Sequence, residues 1–211
     1  MGNTNSTIKG LAADIAGTTD ICDVVADLSR AWAASYLLPG EEVLYALQSV
    51  RQEFAFTNRA LIKVSAETST TTRKLVDRFE YKSHRVGSVQ FESTGVVDRD
   101  CELNFKIGDG NFHVDVVRGK EREVKGFYKA LVLLSHQQEE NELDWELAKQ
   151  AMATAKDTVR LSDAGRQSLN QQSDETLAWM KTQFQRTHPH CYKDIIQGAL
   201  DAARAEREKE E

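Results

Sequence analysis

Residues 101–116 read CELNFKIGDGNFHVDV, and this stretch decides the fold class. Apolar side chains occupy every second position in both halves: Cys101, Leu103, Phe105 and Ile107, then Phe112, Val114 and Val116. Successive side chains of a strand point to opposite faces, so each half is predicted to be a strand with one buried face. Asp109-Gly110 between the halves is typical of a tight turn. The stretch therefore predicts an antiparallel hairpin.

Five further strands are predicted before this hairpin from shorter runs of alternating or β-branched residues. They span residues 43–50, 53–56, 60–64, 75–81 and 86–92. A helix starting near Lys120 follows the hairpin, and its apolar stripe consists of Val124, Phe127, Leu131 and Leu134. Such a stripe can cover the open end of a sheet that does not close on itself. Seven strands and one capping helix are thus expected.

The chain is predicted to be helical on both sides of this module. Apolar residues recur at helical spacing in residues 8–15 and 21–32, before the turn at Pro39-Gly40. Three more stripes follow Gln138, in residues 143–155, 177–184 and 192–203. Each stripe is too narrow to be stable alone, so these helices should pack on each other, on the sheets or on another copy of the chain.

These patterns divide the chain into three regions. They are an N-terminal helical segment at 1–38, a β module with its helix at 39–138, and a helical extension at 139–211. The predicted fold class is α+β: a seven-stranded antiparallel sandwich or barrel capped by a helix, with helices at both ends of the chain.

Composition and charge restrict the function classes. The formal net charge is −6, and Lys and Arg do not concentrate on one face, so a nucleic-acid partner is not expected. Cys22, Cys101 and Cys191 are widely spaced and odd in number, which fits free thiols in a reducing compartment. No secretory signal or membrane-spanning stretch is recognised. A cytoplasmic protein is expected, with at most peripheral attachment to a membrane.

Several segments resemble a known family. They are TNRALI at 57–62, STGVVD at 93–98 and ELNFKIG at 102–108, with KGLAADIAG at 9–17 and SDETLAW at 173–179. Together they are similar to the bacterial pleckstrin-homology (PH) domain family, and in particular to its YvbH-like subgroup, in which a helical extension follows the β module. The resemblance implies a PH-like sandwich and an extension associated with oligomerisation.

The resemblance supplies no catalytic residue and no cofactor to carry over. The sequence also lacks the common nucleophile-elbow, phosphate-loop and zinc-protease motifs. Gly108-Asp109-Gly110 has the glycines of a phosphate loop, but it joins two strands and leads into no helix. We therefore expect a non-enzymatic module that binds a protein partner or forms a homo-oligomer.

The first residues, MGNTNS, match an N-myristoylation signal, because that modification needs Gly2 once Met1 is removed and favours Ser6. The alternative prediction is therefore a membrane-peripheral adaptor that is anchored at Gly2 and binds a lipid or a protein. One myristoyl chain gives only weak binding, about 10⁴ M⁻¹. Lys9 is the only basic residue nearby. A chance polar N-terminus is the favoured explanation of the match, and membrane contact would be weak.

Basic side chains in the β module are candidates for a phosphoinositide site. Such a site needs several cations converging on the loop between the first two strands, and only Arg51 lies there. The remaining candidates are on other segments: Arg59, Lys63, Arg73 and Lys74. Ordinary surface charges explain these residues, and no inositol site is predicted.

Two groups of side chains could hold a metal ion. His188-Pro189-His190-Cys191 places three ligands within four residues but lacks a fourth, so a helix-breaking turn is favoured. Asp98, Asp100 and Glu102 are close in sequence, but hard cations need six or more oxygens, so a solvated acidic segment is favoured. The sequence predicts no metal site.

Overall fold

The computed structural model describes residues 20–66, 73–93, 100–158 and 169–210. Eight strands in these residues form two antiparallel sheets. The first sheet contains, in order, β1 (Asp23–Val24), β2 (Val43–Gln48), β3 (Gln52–Thr57), β4 (Ala60–Ala66) and β5 (Lys74–Glu80). The second contains β6 (Val86–Ser93), β7 (Asp100–Ile107) and β8 (Gly110–Val117). Three helices follow: α1 (Glu121–Thr158), α2 (Leu169–Thr187) and α3 (Lys193–Glu210). The predicted α+β class is confirmed, with eight strands instead of seven.

The hairpin of residues 101–116 is confirmed as β7 and β8. Its apolar residues pair across the strands, Cys101 with Val116, Leu103 with Val114, and Phe105 with Phe112. All six are buried, and the Phe105 and Phe112 rings stack with centroids 5.1 Å apart. The period-2 alternation therefore marks the face of the second sheet that points into the core.

The predicted turn at Asp109-Gly110 was wrong by one residue. Ile107 pairs with Gly110, so the two turn residues are Gly108 and Asp109. Gly108 adopts φ +56°, a conformation that suits glycine. A Cβ atom at this position would lie 2.7 Å from Cδ2 of His84, so space as well as backbone conformation favours glycine here.

The predicted helix over residues 21–32 was also wrong. This segment contains the short strand β1 and the 3₁₀ turn Leu28–Arg30, followed by a second 3₁₀ turn at Trp32–Tyr36. Cys22 bridges to the second sheet, since its N–H donates to Asp115 O and its carbonyl accepts from Val117 N. β1 itself pairs with β2 of the first sheet. The backbone of this segment therefore forms hydrogen bonds with both sheets instead of the hydrogen bonds of the predicted helix. The predicted run at 8–15 lies outside the described residues.

Helix α1 caps the sandwich as predicted and begins at Glu121. Its apolar stripe is buried in the same core as both sheets: Val124, Phe127, Leu131 and Leu134. Phe127 stacks on Tyr45 with a centroid distance of 4.0 Å and meets Phe56 edge-on at 4.3 Å. The helix does not end at Gln138 but continues to Thr158. The sequence-based boundary at 138/139 thus falls inside α1.

The described residues form two compact units, the first containing those up to Ser135 together with those from Cys191 onward. Helix α3 belongs to this unit, and Tyr192, Ile196 and Leu200 extend its core. The Tyr192 N–H donates to Asn58 O at 2.8 Å. The sequence left open whether this helix packs on the other helices, on the sheets or on another copy of the chain. The structure shows that it packs on the sheets. The second unit spans residues 136–190 and contains the rest of α1 together with α2.

Candidate interaction surfaces

Two buried carboxylates, Glu41 just before β2 and Glu53 in β3, were not recognised from the sequence. Glu41 accepts two hydrogen bonds from the Arg78 guanidinium, at 2.9 and 3.0 Å, and one each from Thr57 Oγ1 and Leu38 N. Burial by itself would raise its pKa, but these donors outweigh burial and the pKa of Glu41 is lowered. Glu41 therefore fixes the chain entering β2 against β3 and β5.

Glu53 is fully buried and holds the segment before β2. Its two carboxylate oxygens accept hydrogen bonds from Trp32 N at 2.7 Å and Ala33 N at 2.8 Å, and Gln48 Nε2 donates to one of them at 3.0 Å. Burial raises the pKa of Glu53, while the backbone amides counteract the rise. Perturbed carboxylates often mark active sites. Here each has structural partners that account for its burial.

The basic residues of the β module do not converge. Lys63 lies over the Phe54 ring and Lys74 over the Trp32 ring, at 5.5 and 4.1 Å from the centroids. The Arg51 Nη1 atom lies 4.0 Å from Asp20 Oδ2. The Nε atom of Arg59 is buried and forms no hydrogen bond within the described residues. Arg73 precedes β5 beside an open groove that also contains Lys74.

A polar cluster on the second sheet joins residues that sequence spacing could not bring together. His113 Nε2 lies 3.1 Å from Asp115 Oδ1 and 4.0 Å from Glu102 Oε2, and its Nδ1 contacts Asn104 Oδ1. These three titratable side chains are the one group in the described ranges whose ligand atoms lie within 4.8 Å of one another. Strand register creates the cluster, since Glu102 pairs with Asp115. The contacts of the His113 ring with Asp115 and Asn104 account for the arrangement.

The segment from His188 to Cys191 connects α2 to α3. The His188 ring stacks on Phe184 at 4.1 Å, and Cys191 Sγ lies 3.5 Å from Asn58 Nδ2, which donates to it. Both contacts are with other side chains of the protein, and neither is a contact between metal-ligating atoms. Asp98 and Gly2 lie outside the described residues, so the acidic group at 98–102 and the acylation signal stay predictions, as does the absence of a metal site.

The second unit has exposed apolar side chains on both of its helices. We call this set of side chains the hairpin surface, and its members are Leu143, Leu147, Ala151, Leu177 and Trp179. The leucines are more than half exposed, and Trp179 is 39% exposed. Trp179 and Ala151 border a shallow hollow of about 440 Å³. The sequence pointed to these stripes but could not show which side chains stay exposed.

The described residues of the second unit form almost no core of their own. Ala148 is the one apolar side chain among them that is buried, and it is 8% exposed. The two helices meet where Trp145 lies edge-on to Phe184 at 5.4 Å between ring centroids and Arg186 Nη1 lies 2.9 Å from Asp144 Oδ2. Two helices that bury this little are marginal by themselves. None of the described helices has an apolar stretch long enough to cross a bilayer.

Comparison with known proteins identifies the family. The family model described as "Bacterial PH domain" matches residues 13–135. The chain is 30% identical over 151 residues to the uncharacterized protein YvbH of Bacillus subtilis (strain 168). The aligned region covers 70% of this chain and 74% of YvbH. A crystal structure of a PH domain containing bacterial protein from Exiguobacterium sibiricum 255-15 superimposes with a TM-score of 0.76 at 26% identity, covering 86% of this chain and 100% of that one. None of these descriptions names a reaction. The chain belongs to the bacterial PH domain family.

Proposed function

We propose that the protein is a non-catalytic binding module that assembles with a second copy of itself through the hairpin surface. The observation that carries this proposal is that the described residues of the second unit bury almost no apolar side chain, while leucines on its two helices are 52–60% exposed. Protein layers become stable when an apolar face is buried against another layer. A second pair of helices would supply that layer and complete a four-helix arrangement.

The composition of the hairpin surface favours a second copy over an unrelated partner. Trp179 is a large side chain and lies beside the small Ala151 at the same hollow. In a twofold symmetric dimer, one patch meets the same patch on the other chain, so a protrusion and a recess must both be present on it. The hairpin surface has both. Trp179 of one chain would fill the hollow beside Ala151 of the other.

Light scattering coupled to size-exclusion chromatography tests the proposal. The wild-type chain should elute as a dimer at about 100 µM, a concentration at which even a modest affinity populates the complex. Leu177→Glu and Leu147→Glu place a charge in the apolar interface and should each give a monomer. Both side chains are exposed in the single chain and belong to the second unit, so the first unit should stay folded in both variants and keep its β-sheet signal in circular dichroism.

Leu75→Glu is the matched control, because Leu75 is 64% exposed in β5 and lies outside the hairpin surface. This variant should remain dimeric. A wild-type chain that is strictly monomeric at about 100 µM, or a dimer that Leu177→Glu and Leu147→Glu leave intact, would contradict self-association through this surface.

A further inference from the structure

The outer face of the second sheet, which is turned away from the core, brings a histidine and two carboxylates together. Glu102 lies on this face of β7, and His113 and Asp115 lie on it in β8, while their neighbours Leu103 and Val114 point into the core. His113 Nε2 lies 3.1 Å from Asp115 Oδ1 and 4.0 Å from Glu102 Oε2. One ligand atom from each of the three lies within 4.8 Å of the others. Three metal-ligating groups therefore meet at one point of the sheet.

The separations within this cluster match those between the ligands of a small metal ion. Zn²⁺ binds histidine nitrogen and carboxylate oxygen at about 2.0–2.2 Å, so neighbouring ligand atoms of a tetrahedral site are about 3.3–3.5 Å apart. The distances of 3.1 and 4.0 Å from His113 Nε2 lie on either side of this value. A small rotation of the partly exposed Glu102 side chain shortens the longer one. The strands therefore need not move for the three groups to bind one ion.

Asn104 determines which nitrogen of His113 faces the carboxylates. The two residues pair across β7 and β8, and Asn104 Oδ1 contacts Nδ1 of the ring. An amide oxygen only accepts hydrogen bonds, so Nδ1 carries a proton and Nε2 of the neutral ring carries a lone pair. That lone pair faces Asp115 Oδ1, and two acceptors at 3.1 Å repel unless a proton or a metal ion lies between them. Metal-ligating histidines commonly donate a hydrogen bond from the second nitrogen in this way.

The second sheet is acidic. Besides His113, its three strands contain four carboxylates and one lysine: Glu92, Asp100, Glu102, Asp115 and Lys106. Glu102 pairs with Asp115 on one side and with Glu92 on the other, so three of the carboxylates lie side by side in one row. Like charges directly opposite each other destabilise a sheet. Within the described residues, no lysine or arginine nitrogen lies within 4.0 Å of a carboxylate oxygen of this row. A divalent cation would relieve the repulsion.

We propose that Glu102, His113 and Asp115 bind one divalent transition-metal ion of the Zn²⁺ class. Imidazole nitrogen is a good ligand for Zn²⁺, whereas Mg²⁺ and Ca²⁺ prefer sites built from six or more oxygens. The three protein ligands leave the fourth position of a tetrahedron open to water. The ion links β7 to β8 and takes the place of a proton between His113 and Asp115. The sequence predicted no metal site, because strand register and not sequence spacing brings these ligands together.

Isothermal titration calorimetry of the full chain with zinc chloride tests the proposal. The wild type should bind Zn²⁺ with a Kd of about 100 µM or lower, and magnesium chloride at the same concentration should give no binding. His113→Gln, Glu102→Gln and Asp115→Asn each remove a ligand and should each weaken Zn²⁺ binding about tenfold or more. His136→Gln is the matched control, because His136 is an exposed histidine of α1 outside the cluster. This variant should keep the wild-type affinity.

A further variant tests the other group of potential ligands, the segment from His188 to Cys191. The double variant His190→Gln/Cys191→Ser should retain the binding that His113→Gln removes, since the proposed site uses neither residue. Loss of Zn²⁺ binding in this double variant, together with unchanged binding in His113→Gln, would place the ion at the wrong end of the molecule and overturn the proposal.

Asn104 is a positioning residue in this site, and a pair of substitutions tests that role. Asn104→Leu removes the acceptor of the His113 Nδ1 proton and should weaken Zn²⁺ binding about tenfold. Asn104→Asp keeps an acceptor there and should retain the wild-type affinity or exceed it. A residue that only stabilises the pairing of β7 with β8 would not divide these two variants by their affinity for Zn²⁺.

Thermal unfolding gives an independent readout, because an ion that binds the folded chain raises its melting temperature. Zn²⁺ should raise the melting temperature of the wild type and of His136→Gln, and it should leave that of His113→Gln unchanged. No binding to the wild type up to about 1 mM Zn²⁺ would mean that a proton alone joins His113 to Asp115. That result, or binding that none of the three ligand substitutions weakens, overturns the proposal.

Discussion

Glu41 and Glu53 are two buried carboxylates whose pKa values are shifted in opposite directions. Both organise the chain around the first sheet, but Glu41 has a guanidinium partner and Glu53 has backbone amides. A full positive charge beside Glu41 outweighs burial, whereas neutral donors beside Glu53 do not. The two residues should therefore contribute to stability with opposite dependence on pH.

Glu41→Gln should destabilise the protein by about 1–3 kcal/mol at pH 7, because it removes the charged acceptor of two Arg78 hydrogen bonds and leaves that guanidinium with Glu80 as its charged partner. The folded-state pKa of Glu41 is lowered, so its contribution is present above the unfolded-state pKa of about 4.3 and is lost as the pH falls through the folded-state value. Urea unfolding from pH 7 to pH 3 should show the difference between wild type and variant shrinking. A constant difference would contradict the assigned shift.

Glu53→Gln should show the reverse trend. The folded-state pKa of Glu53 is raised, so the wild type gains stability from this group as the pH falls from neutral towards about 4.3. The variant does not titrate and loses one of the two oxygens that accept from Trp32 and Ala33. Its destabilisation should therefore grow over this pH range. The two variants control for each other in the same urea experiment.

The three cysteines should differ sharply in reactivity. Burial raises the pKa of Cys22 to about 12 and that of Cys101 to about 11, while Cys191 is exposed. Only a thiolate reacts at a useful rate, so one thiol per native chain should react rapidly with Ellman's reagent at pH 8. Denaturant should release all three. Fast reaction of two thiols in the native Cys191→Ser variant would contradict the burial of the other two.

Helices α1 and α3 approach closely where Gly126 faces Ala203. A Cβ atom on Gly126 would lie 2.8 Å from the Ala203 Cβ, a contact that requires the helices to separate. Gly198 lies on the exposed side of α3, where an added Cβ has no neighbour within 4 Å. The same substitution at these two glycines should therefore have opposite effects.

Gly126→Ala should destabilise the protein by about 1–3 kcal/mol, because overpacking exceeds the roughly 1 kcal/mol that alanine contributes to helix propensity. Gly198→Ala should stabilise it by about 0.5–1 kcal/mol through propensity alone. Thermal unfolding followed by circular dichroism measures both. Adding Ala203→Gly to Gly126→Ala should recover part of the loss, and an absence of recovery would exclude the close contact as the cause.

At the scale of the whole molecule, the last helix completes the core of the first unit. Ile196 is buried together with residues of both sheets, whereas the adjacent Ile195 is half-buried. Ile196→Ala should lower the free energy of unfolding by about 2–4 kcal/mol, and Ile195→Ala should cost clearly less. Urea unfolding monitored in the far ultraviolet compares them. Equal effects of the two substitutions would contradict the packing of α3 on the sheets.

Local pattern explains which parts of the architecture could be predicted. The strands around Phe105 and Val114 and the stripe around Phe127 were found because their period repeats within a few neighbouring residues. The segment at 21–32 has a helical period as well but is not a helix. The Trp32 N–H donates a hydrogen bond to the carboxylate of Glu53, which is 21 positions away. Hydrogen bonds to distant residues leave no periodic trace in the sequence, and β1 was missed for the same reason.

The sequence by itself determined the α+β class, the buried faces of the strands and the capping helix, because these depend on side-chain periods of two and of about 3.6 residues. Tertiary structure decided the role of Glu41 and Glu53 and the packing of α3 on the sheets. Each of these brings together residues far apart along the chain. Their proximity depends on strand register and helix packing, which only the folded chain defines.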